Sequence, residues 1–253
     1  MYDRLAQFYD WEHSSFKDDL QLYLAFAGVT GDPILEAACG SGRVLLPLAE
    51  AGHRVTGVDS SETMLGMARD RIAAAGLEDR VRLAQGDMRT MELGEQFSMA
   101  LVALGSFHHL LTMEDQRACL RRLASHLAPG GTLLLDLLNP TPDWIASGGG
   151  SLVLQMSGPF PGPEGPDRVT KFAASSSFFD LQEDRTHVIY DRVKPDGTLT
   201  RYSFDLVMRF LFRYEAELLL QEAGLRIRDI YGGYDMEAYA SSSSRMVFVA
   251  EKI

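Results

Sequence analysis

One stretch constrains the whole chain: residues 33–62, PILEAACGSGRVLLPLAEAGHRVTGVDSSE. Ile34 and Leu35 start a short apolar strand that ends at Glu36, and a small-residue turn from Ala37 to Gly42 follows. A helix is expected over 43–51, stopped by Gly52, and residues 54–58 read as a second strand ending on Asp59. Two short apolar strands joined by a helix must pair in parallel, because only a crossover returns the chain to the same sheet edge. Small residues in the turn let a ligand lie against the backbone, and the following helix start offers free N–H groups. A carboxylate at the end of the second strand, Asp59, can accept both hydroxyls of a ribose.

Two cofactor classes use such a unit. A dinucleotide fold prefers a third glycine in G-x-G-x-x-G, for close helix–strand packing. Here Gly40 and Gly42 are followed by Leu45 in the third place, so a less tightly packed helix and a ligand without pyrophosphate are expected. Glu36, just before the turn, suits an ammonium better than phosphates. With Glu36-Ala37-Ala38-Cys39-Gly40-Ser41-Gly42, the chain resembles the class I S-adenosylmethionine-dependent methyltransferases, whose first motif reads acidic-x-(Gly/Ala)-x-Gly-x-Gly.

That resemblance implies a Rossmann-like α/β fold: a mostly parallel seven-stranded sheet with a C-terminal antiparallel strand. It implies S-adenosyl-L-methionine as cofactor, with Glu36, Ala38, Gly40, Gly42, Asp59, Ser60 and Met64 around its amino-acid and ribose parts. Gly86-Asp87-Met88 follow the third strand, residues 81–85. In the family pattern the aspartate there accepts the adenine amino hydrogens and the next backbone N–H donates to the ring. Residues 97–104 read as a buried parallel strand running into Gly105-Ser106-Phe107-His108-His109, the switch region where ligands sit beyond the carboxyl strand ends. Leu104, Ser106 and His109 are the cofactor contacts expected there. This loop lacks the (Asn/Asp/Ser)-Pro-Pro-(Tyr/Phe) sequence of nucleic-acid amino-methylating enzymes and the paired glutamates of protein arginine methyltransferases, which leaves small-molecule acceptors. Pro129-Gly130-Gly131, launching the fifth strand, is another family signature.

Composition narrows the partners. A formal charge of −11 over 253 residues disfavours a nucleic-acid partner, which needs a basic face. Two cysteines give neither a disulfide framework nor metal spacing and suit a reducing compartment. With no signal-like N-terminus and no apolar run of spanning length, a cytoplasmic protein with no membrane partner is expected. A homodimer is left open.

Residues 1–29 read as an N-terminal helical lid, 30–139 with 211–253 as the cofactor-binding core, and 140–210 as an antiparallel β flap inserted after strand five. The Tyr2-Asp3-x-x-Ala6-x-x-Tyr9-Asp10 pattern resembles the segment that closes over the methionine end of the cofactor in many small-molecule methyltransferases, making Tyr2 and Tyr9 expected contacts. The base candidates are His108, His109 and Tyr9, with His108 favoured and His109 assigned to the sulfonium end. Trp11, Phe107, His108, Asn139, Tyr202 and Phe212 are the expected substrate wall. The lid, flap and closing segment look most similar to amino-sugar and glycine-type N-methyltransferases, so an amine acceptor is expected. Alternatives kept beside it are a small-molecule O-methyltransferase, an NAD(P)-dependent oxidoreductase and a non-catalytic cofactor-binding protein.

Overall fold

A computed structural model describes residues 2–142, 144, 149–163 and 165–253, with side chains described from Leu5 onward; parts of the turn-rich loops expected at 148–150 and 157–166 lie outside. The chain forms two compact units, Met1–Asn139 with Leu211–Ile253, and Pro140–Phe210.

In the first unit, helices α1 (Tyr2–His13) and α2 (Leu20–Thr30) precede strand β1 (Ile34–Ala37). Then come α3 (Leu45–Glu50), β2 (Val55–Asp59), α4 (Glu62–Ala75), β3 (Val81–Gln85), β4 (Phe97–Val102), α5 (Met113–His126) and β5 (Leu127–Leu138). After the second unit the chain returns with α6 (Arg213–Glu222), β10 (Leu225–Tyr231) and β11 (Arg245–Lys252). The described strands make one seven-stranded sheet, ordered β10-β11-β5-β4-β1-β2-β3. β1 pairs in parallel with both β2 and β4, and β11 runs antiparallel to β5 and β10. This is the class I architecture that the sequence implies. Strand order reverses at β1, so the loops after β1 and β4 splay apart and open a crevice there.

Alternation along the strands loads both sheet faces. Leu35, Ala37, Ala100, Val102, Leu133 and Leu135 pack with Cys119, Leu120 and Leu123 of α5 and Leu219 and Leu220 of α6. Ile34, Met99, Leu101, Leu134 and Val249 pack with Leu22 and Tyr23 of α2, Leu45 and Leu48 of α3, and Leu65 of α4. Each fully buried leucine contributes about 1.5–3 kcal/mol, so the sheet is well anchored behind the crevice. Local signals fix the helix ends: Ser61 Oγ accepts the Met64 N–H at 3.2 Å, and Gly76 closes α4 with φ of 66°. The helix expected over 43–51 is shorter, six residues from Leu45. The close approach that a third turn glycine would allow is supplied from the strand. A methyl at Gly57 would lie 2.5 Å from Leu45 Cδ1 and 2.8 Å from Cys39 Sγ. The expected loose helix packing is thereby corrected: the small residue is on β2 instead of α3.

The second unit is an antiparallel four-stranded sheet in the order β6 (Val153–Phe160), β7 (Asp167–Phe178), β8 (Glu183–Val193) and β9 (Leu199–Arg209). The turn between β8 and β9 closes with Gly197 N–H on Lys194 C=O at 2.9 Å, at a φ of 86° open to glycine. Among the described residues, no helix is long and apolar enough to cross a membrane.

Candidate functional site

The turn after β1 is held open by its own backbone. Ala38, Gly40 and Gly42 have φ of 57°, 55° and 82°. The Cys39 N–H donates to Val58 C=O, Gly42 N–H to Cys39 C=O, and Gly40 N–H to Asp59 Oδ2 at 2.8 Å. These three N–H groups of the turn are spent on the turn and on β2. A Cβ placed on Gly40 would meet nothing within 4 Å, so the bare edge of the turn faces open space. Leu104 beyond β4 has φ of 51°, and its N–H donates to Asp136 Oδ2 at 2.9 Å. Two non-glycine residues in this conformation, Ala38 and Leu104, flank one crevice; such strain collects where a ligand is clamped.

Two hollows adjoin across Ala38. The first, about 30 Å³, is lined by Tyr9, Asp10, His13, Ser14, Glu36, Gly40, Ser41, Arg43, Leu104 and Ser106. The second, about 210 Å³, is lined by Asp59, Ser60, Gly86, Asp87, Met88, Arg89, His109 and Leu110. Most expected cofactor residues thus lie along one groove at the carboxyl strand edge.

In the first hollow Glu36 is buried, and its Oε2 has no hydrogen-bond partner among the described residues. Burial pushes its carboxyl well above the usual carboxylate range, against the pull of the Arg43 guanidinium. Arg43 is itself committed, donating to Asp19 at 2.7 and 2.6 Å and to Phe16 C=O at 3.1 Å. Burial pushes the Tyr9 phenol up to about 12, so Tyr9 is a neutral donor or wall and not a base. Its ring stacks on His13, centroids 4.2 Å apart, and His13 Nδ1 lies 2.8 Å from Tyr9 C=O. Helix α1 is tied down by Asp10. Oδ1 accepts the Ser41 hydroxyl at 2.6 Å and Oδ2 accepts Arg71 at 2.6 Å, while Arg71 also reaches Ser41 Oγ at 3.0 Å.

In the second hollow Asp59 Oδ1 accepts the Ser61 N–H at 2.8 Å, opposite the Gly40 contact. Asp87 accepts the Arg89 guanidinium at 2.5–3.0 Å, which holds its carboxyl below the usual range, and Arg89 also donates to Asp115 at 2.7 Å.

Several expected contacts fall elsewhere. His108 is buried, and its Nε2 accepts the Leu138 N–H at 2.9 Å, so that nitrogen braces β5 and is not available as a base. Phe107 is fully buried in the core, because the 3-10 turn Ser106–His109 points it inward. Met64, one turn into α4, is buried beneath that helix and lines neither hollow. Gly42 turns inward, where an added Cβ would meet Ala68 Cβ at 3.3 Å. Asn139 is spent on structure: Nδ2 donates to Ser243 C=O at 2.7 Å and Oδ1 accepts Tyr239 O–H at 3.2 Å. His109 lies beside Asp59 and Asp87, at the end expected for the nucleoside. Trp11 is half-buried on α1 and lines neither hollow, and Phe212 is exposed at the start of α6. Tyr202 sits on β9 of the second unit, opposite Tyr190. The contact expected of Tyr2 lies outside the described side chains. Sequence reasoning missed His13, Arg71 and Arg89. Only Arg89, two residues from Asp87, carried a local signal.

A profile of the family described as Methyltransferase domain matches residues 34–131. Cypemycin N-terminal methyltransferase of a Streptomyces species is 28% identical over 222 residues, covering 88% of this chain and 84% of that one. The dTDP-3-amino-3,6-dideoxy-alpha-D-glucopyranose N,N-dimethyltransferase of Streptomyces fradiae is 29% identical, covering 79% and 72%. Among solved structures, the CcbJ methyltransferase of Streptomyces caelestis superposes with a TM-score of 0.79 at 26% identity, covering 99% of this chain and 96% of that one.

Proposed function

This chain is an S-adenosylmethionine-dependent methyltransferase of the class I fold, and from that premise we propose that its methyl acceptor is an amine carried by a small molecule. The cofactor supplies a methyl group already activated on a sulfonium. What the protein adds is position, exclusion of water and, where the acceptor demands it, removal of a proton.

The groove fits that cofactor on its own chemistry. Among the described residues Glu36 Oε2 is a buried acceptor without a partner, which costs stability unless a donor arrives; the ammonium of a methionine moiety is such a donor. In this reading Asp59 takes the ribose hydroxyls, and Asp87 with the Met88 backbone takes the adenine edge. Ala38, Leu104 and Ser106 flank the passage between the hollows.

One observation carries the choice of an amine. Of the three base candidates, His108 Nε2 is spent on Leu138, burial pushes the Tyr9 phenol up to about 12, and His109 lies at the nucleoside end beside Asp59 and Asp87. A neutral amine attacks with its own lone pair and needs no base for that step. The names of the cypemycin and amino-sugar relatives support this reading, since those enzymes act on nitrogen. The charge of −11 supports a small acceptor over a nucleic acid.

The test is to incubate the protein with S-adenosylmethionine and paired acceptors differing only in amine or hydroxyl, including amino-sugar nucleotides and peptides with free N-termini. Product mass should show methyl groups added to amines alone, with the rate rising with pH as the acceptor ammonium loses its proton. Methylation of the hydroxyl partners instead would overturn the choice of nitrogen.

A further inference from the structure

We propose that His126, the last residue of α5, is a positioning residue: its neutral imidazole holds the segment that carries Asp87 and Met88, and protonating it in mild acid loosens the nucleoside end of the groove. The inference goes beyond the methyltransferase reading to its regulation, and rests on the placing of adenine against Asp87 and Met88. The segment 86–96, between β3 and β4, has no helix or strand of its own and is held at two places. Beside the groove, Asp87 C=O accepts the N–H of Thr90 at 2.9 Å and of buried Met91 at 2.8 Å. Further on, buried Leu93 is pinned through both its peptide groups. Its C=O accepts Arg82 at 3.3 Å, and its N–H donates to His126 Nε2 at 3.1 Å.

That last bond requires one protonation state. His126 Nδ1 lies 2.9 Å from Arg122 C=O, and a carbonyl oxygen only accepts, so Nδ1 carries the proton of the neutral ring. Nε2 then keeps the lone pair that Leu93 uses. A proton added to Nε2 sets two donors against each other and leaves the buried Leu93 N–H without its acceptor. The imidazole is buried, yet it lines a surface hollow of about 290 Å³ together with Leu93, Arg122, Glu92 and Glu95, which gives a proton its route. The charges around it are paired. Arg122 of α5 lies 3.5 Å from Glu92, and Arg82 of β3 lies 3.5 Å from Glu95. From β4 comes the Phe97 ring, centroids 6.4 Å apart, and Lys252 of β11 donates to Leu127 C=O at 2.6 Å.

The test uses methylthioadenosine, which carries the nucleoside without the amino-acid charges, titrated calorimetrically into the full chain at about pH 8 and about pH 5.5, the range over which histidine ordinarily changes charge. The wild type should bind it about fivefold or more weakly at the lower pH. His126→Gln offers an amide oxygen that accepts the Leu93 N–H and does not titrate. It should match the wild type at the higher pH and show a dependence below about twofold. His126→Leu, with no acceptor, should bind at the wild type's acid level at both pH values. A dependence arising at His109, which lines the nucleoside hollow, would persist in His126→Gln. Amide hydrogen exchange, corrected for the intrinsic effect of pH, should show residues 89–96 losing protection in acid in the wild type and not in His126→Gln. A pH dependence that persists in His126→Gln, or a segment equally protected at both pH values, overturns the proposal. A wild type that binds no methylthioadenosine at either pH overturns the adenine reading, a distinct outcome, and the exchange measurement then decides whether His126 holds the segment.

Discussion

Glu36 shows what burying a single carboxyl does to stability. Its carboxyl is buried with one oxygen unpartnered, and burial raises its pKa above the ordinary 4.5. A folded-state pKa above the unfolded one adds stability that is complete below the unfolded value and is lost as pH rises through the folded value. Glu36→Gln removes that dependence. The variant should therefore match the wild type in acid and become the more stable of the two toward neutral and alkaline pH, read by thermal melts across pH. The same substitution should weaken S-adenosylmethionine binding by about tenfold, because the ammonium loses its charged acceptor. Equal melting at every pH would show that Glu36 is not strained by its burial. The sequence singled out this acid before a small-residue turn as a candidate ammonium ligand, and the structure buries it in the first hollow. His108 is the opposite case. Two adjacent histidines in a loop look alike in sequence, and only the register of the 3-10 turn sends one into the core and the other to the groove.

Among the elements, α1 brings Tyr9, Asp10 and His13 to the first hollow. It reaches the turn through a two-oxygen clasp, Asp10 to Ser41 and to Arg71, with Arg71 rising from α4. Arg43 and Asp19 tie the start of α2 to the same turn. Asp10→Asn keeps the shape but removes the charge that holds Arg71, a loss of about 1–2 kcal/mol for a part-buried charged contact. That predicts release of S-adenosylhomocysteine faster by roughly five- to thirtyfold in stopped-flow measurements. Hydrogen exchange should quicken across α1 and stay unchanged in α5; equal exchange in both would argue that Asp10 holds nothing. The pattern Tyr2-Asp3-x-x-Ala6-x-x-Tyr9-Asp10 marked this helix in sequence, but its partner Arg71 lies 61 residues away in the chain and carried no signal.

For the whole molecule the central polar feature is Asp136, fully buried on β5. Its carboxylate accepts Tyr23 from α2 at 3.1 Å, Tyr234 at 3.0 Å, the Leu104 N–H at 2.9 Å, and Arg245 from β11 at 2.6 Å. Removing it strands a buried guanidinium and releases the loop that carries Leu104. Asp136→Ala should cost about 3–5 kcal/mol in urea unfolding, a penalty that a surface aspartate does not approach; a loss under about 1 kcal/mol would refute that role. The succession of strands and helices along the chain, the antiparallel strands within 140–210, the helix caps and the placing of Glu36, Asp59 and Asp87 at or just past strand ends follow from apolar periodicity and short turn motifs. Those signals are local, so the sequence by itself determines them. The tertiary structure alone decided which side chains are spent on one another: Asn139 on Ser243 and Tyr239, His108 on Leu138, Arg89 on Asp115, and Gly57 yielding its space to Leu45. Each of these is a contact between distant chain positions brought within a few ångströms by packing. A one-dimensional pattern names the residue but not the neighbour that claims its last lone pair.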